Sequence, residues 1–147
     1  VFDHNGIVDK YMGDGLMAFF GAPVRKGDEP LQAVLSGFEM LEALESFNEW
    51  QARRNRKPFR IGIGINYGMV TVGNIGSERK MDYTVIGDTV NTASRIEGAT
   101  RGRSRVLVSA AVREACLADY RFTDHGLVKL KGKEQQVHLY EPQWELT

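Results

Sequence analysis

Asp82-Tyr83-Thr84-Val85-Ile86-Gly87-Asp88-Thr89-Val90-Asn91-Thr92-Ala93-Ser94-Arg95 joins a strand-like run to a helix-like run. Tyr83 and Val85 alternate with Thr84 and Ile86, the period of a strand buried mainly on one face. Gly87 ends the run, and Asp88 stands where an N-cap belongs, its carboxylate able to accept from the free N–H groups of a first turn. With a helix starting there, Asn91 and Arg95 lie four apart on one face, so an amide and a permanent cation project side by side. Such a pair can grip an anionic ligand. The same spacing also fits a capped surface helix with a solvated arginine, so other stretches must decide between the two.

Upstream, Phe59-Arg60-Ile61-Gly62-Ile63-Gly64-Ile65-Asn66 alternates isoleucine with glycine, which predicts a strand with one apolar face and one face kept bare for close packing. Its Gly-x-Gly is followed by Tyr67 where a dinucleotide fingerprint needs glycine, and no helix opens there, so that fingerprint is rejected. A strand over residues 69–72, the glycine-punctuated residues 73–77 and the charged loop Glu78-Arg79-Lys80 lead to the opening stretch. Nearer the start, Ile7-Val8-Asp9-Lys10-Tyr11-Met12 and Leu16-Met17-Ala18-Phe19-Phe20-Gly21 flank Gly13-Asp14-Gly15, the pattern of a β-hairpin. Asp14 at its tip suits a metal-binding carboxylate, and it is equally good turn chemistry.

Asp28-Glu29-Pro30 opens a long helix whose Leu31, Val34, Phe38, Leu41 and Leu44 recur at helical spacing as a core stripe. It ends around Arg53-Arg54-Asn55-Arg56-Lys57, read as a solvated basic helix end. Past the opening stretch come a loop over residues 98–104, a strand Val106-Leu107-Val108, and a helix over residues 110–118 with Ser109 as N-cap. A last hairpin runs through Gly126-Leu127-Val128-Lys129-Leu130-Lys131-Gly132-Lys133, turns at Gly132 and returns through Val137-His138-Leu139-Tyr140. These elements add up to an α+β sandwich, one antiparallel-rich β-sheet covered by helices.

With 147 residues, 42% hydrophobic and 26% charged, the chain fits one globular domain over residues 1–147. Its 19 basic and 19 acidic side chains cancel, so no global field recommends a nucleic acid or an anionic membrane as partner. Cys116 is the sole cysteine, which excludes an intrachain disulfide and a thiolate zinc cluster, and a small hydrophobe in a reducing compartment is the simplest role for it. His4, His125 and His138 share no metal-ligand spacing and read as structural. No apolar run approaches bilayer length and no signal-peptide pattern opens the chain, so a cytoplasmic domain is expected, with membrane tethering of a longer parent left open. Val1 is not an initiator methionine, and Val1-Phe2-Asp3-His4-Asn5-Gly6 reads as an element end and a turn, as in a piece of a longer chain.

Three separated motifs together resemble the catalytic domain of the class III nucleotidyl cyclases, most closely bacterial adenylyl cyclases with Thr at the adenine-reading position. They are Asp9-Lys10-Tyr11-Met12-Gly13-Asp14, Tyr83 through Arg95 as quoted above, and Leu130-Lys131-Gly132-Lys133. The resemblance implies a ferredoxin-like α+β sandwich and conversion of ATP to 3′,5′-cyclic AMP and pyrophosphate by attack of the ribose 3′-hydroxyl on the α-phosphate, assisted by two divalent cations, Mg²⁺ or Mn²⁺. In that scheme Asp14 matches a metal-binding aspartate and Arg95 the arginine that stabilises developing phosphate charge. Asn91 matches the residue that orients the ribose, and Lys131 the lysine on the terminal phosphates. Lys10 and Thr84 match the adenine readers, a donor to a ring nitrogen and an acceptor for the exocyclic amine.

The resemblance further implies a homodimer with composite active sites, because the chain carries both halves of a site. It also places the second metal aspartate on a strand preceding Val1, for which Asp3 and Asp9 are poor substitutes. The fragment by itself is therefore expected to be impaired or inactive, and its parent to carry an upstream regulatory domain. A guanylyl cyclase and a non-catalytic nucleotide-binding regulatory module of the same fold are the alternatives.

Overall fold

The computed structural model describes residues 1–144. Among them a 3-10 turn Phe2–His4 precedes β1 Gly6–Met12, β2 Gly15–Phe20, α1 Glu29–Ala52, β3 Ile63–Ile65, β4 Thr71–Ser77, β5 Lys80–Ile86, α2 Asp88–Ala99, β6 Val106–Ser109, α3 Ala110–Ala115, β7 Arg121–Lys129 and β8 Gln136–Gln143. A four-stranded sheet runs in the order β3-β6-β8-β7, and β1-β2 and β4-β5 form separate hairpins. Only β3 and β6 pair in parallel; β6-β8, β7-β8 and both hairpins are antiparallel. None of the described helices is long and apolar enough to cross a membrane.

The core follows from the pleat of β6, where successive side chains point to opposite faces. Val106 and Val108 pack with Val34, Phe38 and Leu41 of α1 and with Val112 and Cys116, whereas Leu107 packs with Ile96 of α2, Val128, Leu130 and Leu139. Helices therefore cover both faces of the sheet, and β6 is buried along its whole length. Burial pushes the Cys116 thiol up to about 11, so it stays protonated and acts as a small apolar group.

The isoleucine-glycine alternation divides between these two layers. Ile63 and Ile65 lie against Gly37 of α1, while a Cβ on Gly64 would stand 2.2 Å from the Glu97 backbone nitrogen and 2.7 Å from the Ala93 carbonyl oxygen. One on Gly62 would stand 2.0 Å from Thr100 Oγ1. The bare face is the seat of α2.

Several boundaries differ from the sequence reading. The strand expected over residues 59–66 narrows to Ile63–Ile65, because Asn48 takes over the Phe59 backbone instead: its amide donates to the carbonyl and accepts from the N–H, both at 2.9 Å. Residues 73–77 continue β4, since an unbroken antiparallel register from Thr71↔Ile86 to Ser77↔Lys80 outweighs the low strand propensity of glycine. The last hairpin begins at Arg121, and Gly126 marks an irregularity inside β7, its N–H donating to Asp124 at 2.6 Å. The helix over 110–118 stops at Ala115, and Ser109 precedes it without a side-chain capping bond.

At the start of α1 it is the buried Glu29 whose carboxylate accepts from the N–H groups of Lys26 at 2.6 Å and Gly27 at 3.1 Å. Its own N–H and these two hold it below the ordinary carboxylate value. Each histidine has a carboxylate partner: His4 with Glu39, His125 with Glu141, and His138 with Asp124.

Gly64→Ala is expected to cost about 3 kcal/mol or more, the upper range for overpacking, because backbone rather than a flexible side chain blocks the new methyl. Gly98→Ala, on α2 with open space around it, should instead stabilise by roughly 0.5 kcal/mol. Urea unfolding of both variants checks the pair; equal effects would remove α2 from its seat on β3.

Candidate active site

Helix α2 presents Asn91 and Arg95, and four contacts fix its position. Asn66 donates to the Thr89 carbonyl at 3.1 Å, Thr89 Oγ1 donates to the Met69 carbonyl at 2.7 Å, and Gly64 seats the helix backbone. The fourth corrects the expected cap. The N-cap is Gly87, at φ 137, and Asp88 is the first helical residue, its carboxylate accepting from Lys133 Nζ at 3.1 Å. That ion pair ties the loop after β7 to the first turn of α2.

The same loop carries Lys131 and Gly132 past Arg95. A Cβ on Gly132, whose φ is +80, would lie 3.4 Å from Arg95 Nη2, so a glycine lets the loop backbone run beside the guanidinium. Arg95 and Lys131 thereby line one groove of about 680 Å³, together with Arg101, Arg103 and Lys129. Among the described residues no carboxylate lines it. Five cations around one concavity make an anion site in a chain of zero net charge. Asn91 is exposed one turn before Arg95 and does not line the groove. A smaller hollow of about 250 Å³, beside His4 and the start of α1, contains none of the expected site residues.

A second group forms where β1-β2 meets β5. Phe19 and Tyr83 pack at 6.0 Å between ring centroids, and the buried Thr84 donates from Oγ1 to Asp9 Oδ2 at 2.6 Å. Lys10 follows Asp9 on β1 and is exposed. Asp14 is exposed in the turn closed by the pair Met12↔Gly15, after Gly13 at φ +58. The structure thus joins Arg95 with Lys131 and Thr84 with the Asp9-Lys10 segment, and it leaves Asp14 and Asn91 outside the groove. Sequence reasoning weighed Asp9 only as a metal ligand and missed its bond to Thr84. β1 carries no local signal for that bond, whose partner lies 75 residues away.

Among the described residues, no cluster of three or more His, Cys, Asp or Glu could hold a metal ion. A hard divalent cation takes about six oxygen ligands, and one exposed carboxylate at a hairpin tip is a single donor rather than a site.

Residues 6–141 match the family model described as the adenylate and guanylate cyclase catalytic domain. The chain belongs to this family. This cyclase domain is 34% identical to adenylate cyclase 1 of Rhizobium meliloti over 94% of its own length, and it spans 21% of that protein. It superposes on the crystal structure of the adenylyl cyclase CyaB from P. aeruginosa with a TM-score of 0.90, at 33% identity, covering 99% of this chain and 75% of that one. The guanylyl cyclase Cya2 gives a TM-score of 0.82 at 37% identity, with 96% and 71% covered. The α+β architecture is thus that of the cyclase catalytic domain, a class that generally uses divalent metals.

Gly132→Ala should strain a left-handed backbone position by about 1 kcal/mol and crowd the Arg95 guanidinium, weakening tripolyphosphate binding several-fold. Gly73→Ala, which meets nothing within 4 Å, should leave that binding unchanged. Calorimetric titration separates the two, and equal affinities would detach the groove from Arg95.

Proposed function

We propose that this cyclase domain converts ATP to 3′,5′-cyclic AMP and pyrophosphate. The observation that carries the reading is the placement of Arg95 and the Lys131-Gly132 loop along one cationic groove. In the reaction the ribose 3′-oxygen loses its proton and bonds to the α-phosphorus, and the bond from that phosphorus to the leaving pyrophosphate breaks. Negative charge grows on the phosphate oxygens as this happens, and the guanidinium of Arg95 lies ready to stabilise it. Lys131 holds the terminal phosphates as a point charge, and Asn91 orients the ribose from the next turn of α2. Among the described residues Lys10, Asp14, Asn91, Arg95 and Lys131 make no side-chain hydrogen bond or ion pair, so none must leave a partner to meet substrate.

Two divalent cations, Mg²⁺ or Mn²⁺, supply when bound a lowered pKa for the attacking hydroxyl and neutralisation of phosphate charge. Asp14 gives one of their ligands. Base choice rests on Lys10 and Thr84, since similarity extends to proteins named for either nucleotide. Lys10 donates to an adenine ring nitrogen and Thr84 accepts from the exocyclic amine, whereas guanine offers the opposite pattern on that edge.

The site is completed by a second copy of the chain. The β4-β5 hairpin pairs with no other described strand, and around it Met69, Met81 and Ile86 are 90%, 58% and 50% exposed. An apolar surface of this kind suits a two-fold interface, across which Asp14 of one copy serves the Asn91, Arg95 and Lys131 of the other. ATP as substrate and a free Cys116 thiol support a cytoplasmic catalytic domain under an upstream regulatory domain.

Incubating the full-length protein with ATP or GTP and Mg²⁺ or Mn²⁺ tests the reading, with cyclic AMP as the expected main product. Arg95→Ala should lower kcat by roughly 100- to 1,000-fold with little change in thermal stability. Cyclic GMP as the main product would favour a guanylyl cyclase, and nucleotide binding without turnover would favour a regulatory module.

A further inference from the structure

Thr84 is an ambiguous base reader on its own. A hydroxyl carries one hydrogen and two lone pairs, so a free threonine turns to donate to the O6 of guanine as readily as it accepts from the N6 amine of adenine. The structure removes that freedom. Thr84 Oγ1 is 2.6 Å from Asp9 Oδ2, the length of a charge-assisted O–H···O⁻ bond, and a carboxylate can only accept. The hydroxyl proton is therefore committed to Asp9. Thr84 is 6% exposed, so water competes little for that proton.

The backbone is built for this contact. The register of β1 against β2 pairs Val8 with Ala18 and Lys10 with Met17, which leaves Asp9 as the extra residue of a β-bulge. Bulges turn a side chain away from the direction the strand would give it, and this one delivers a carboxylate to Thr84. The Phe19–Tyr83 ring contact holds the same two elements together.

We infer that Asp9 is a positioning residue for base selection: by taking the Thr84 proton it fixes Thr84 as an acceptor and so favours adenine nucleotides over guanine nucleotides. The inference rests on the reading of Thr84 as a base contact. Asp9 itself does not touch the reacting atoms. A guanine O6 brought to Thr84 would face lone pairs it cannot satisfy, and an adenine amine would find an acceptor already oriented.

The test is a mutant cycle in the full-length protein with Mg²⁺. The ATP:GTP preference is read twice, as the ratio of kcat/KM for cyclic product and as relative affinity when the two nucleotides compete for binding. Asp9→Ala frees the hydroxyl and should lower the ratio by about tenfold, the scale of one hydrogen bond. Asp9→Asn keeps an acceptor and should give an intermediate ratio; it also serves if the alanine variant folds poorly. On a Thr84→Val background, where there is no proton to take, Asp9→Ala should leave the ratio where Thr84→Val alone puts it.

An unchanged ratio in Asp9→Ala, or a drop of the same size on the Thr84→Val background, would overturn the inference while leaving the cyclase reading intact. A wild-type protein that makes no cyclic product would overturn the cyclase reading instead, and the competition ratio would still decide Asp9.

Discussion

Backbone contact between α2 and β3 is the constraint on which the site depends. With no side chain at Gly62 or Gly64, the helix lies directly on the strand, and the Glu97 nitrogen comes within 2.2 Å of where a Cβ of Gly64 would be. A helix seated on backbone has little room to shift, so Asn91 and Arg95 emerge at a defined height and rotation. Ile96 on the buried side of the same helix joins Leu107, Val128, Leu130 and Leu139, and Leu130 is the residue before Lys131. One apolar cluster thus fixes both banks of the cationic groove, and the Lys133–Asp88 pair ties the loop after β7 to the first turn of α2. Surface ion pairs contribute little stability, so that pair is better understood as setting the register of the loop than as holding the fold.

Charge is local in this molecule. A chain with equal numbers of acids and bases has no long-range field for a polyanion, yet it gathers Arg95, Arg101, Arg103, Lys129 and Lys131 around one concavity. The acids are spent elsewhere: Glu39, Asp124 and Glu141 on histidines, Glu29 on the loop before α1, Asp88 on Lys133 and Asp9 on Thr84. The result is a cationic groove made by segregation of charge rather than excess of it.

Much of this was legible in the sequence for reasons that can be named. The isoleucine-glycine alternation announced a bare strand face, and Asn91 and Arg95 shared a helix face by spacing alone. The elements that misread are those decided by a partner distant in sequence. Asp88 has the composition of a cap, but Lys133, 45 residues away, claims its carboxylate. Residues 73–77 look like a break until β5 pairs with every one of them. Asp9 and Thr84 lie 75 residues apart, and neither the bulge nor the shared proton has a local signature. The net charge concealed the groove, because a sum over the chain does not report where cations converge.

In the proposed dimer a cyclase site is shared between two copies of the full-length protein, each giving one half. Asp14→Ala and Arg95→Ala remove opposite halves, so each homodimer should be inactive alone. In an equimolar mixture half of the dimers would be mixed and would carry one intact site of two, and cyclic AMP production should return to about a quarter of wild type. Activity in the mixture no higher than in either variant alone, with subunit exchange confirmed, would contradict a site shared between two copies.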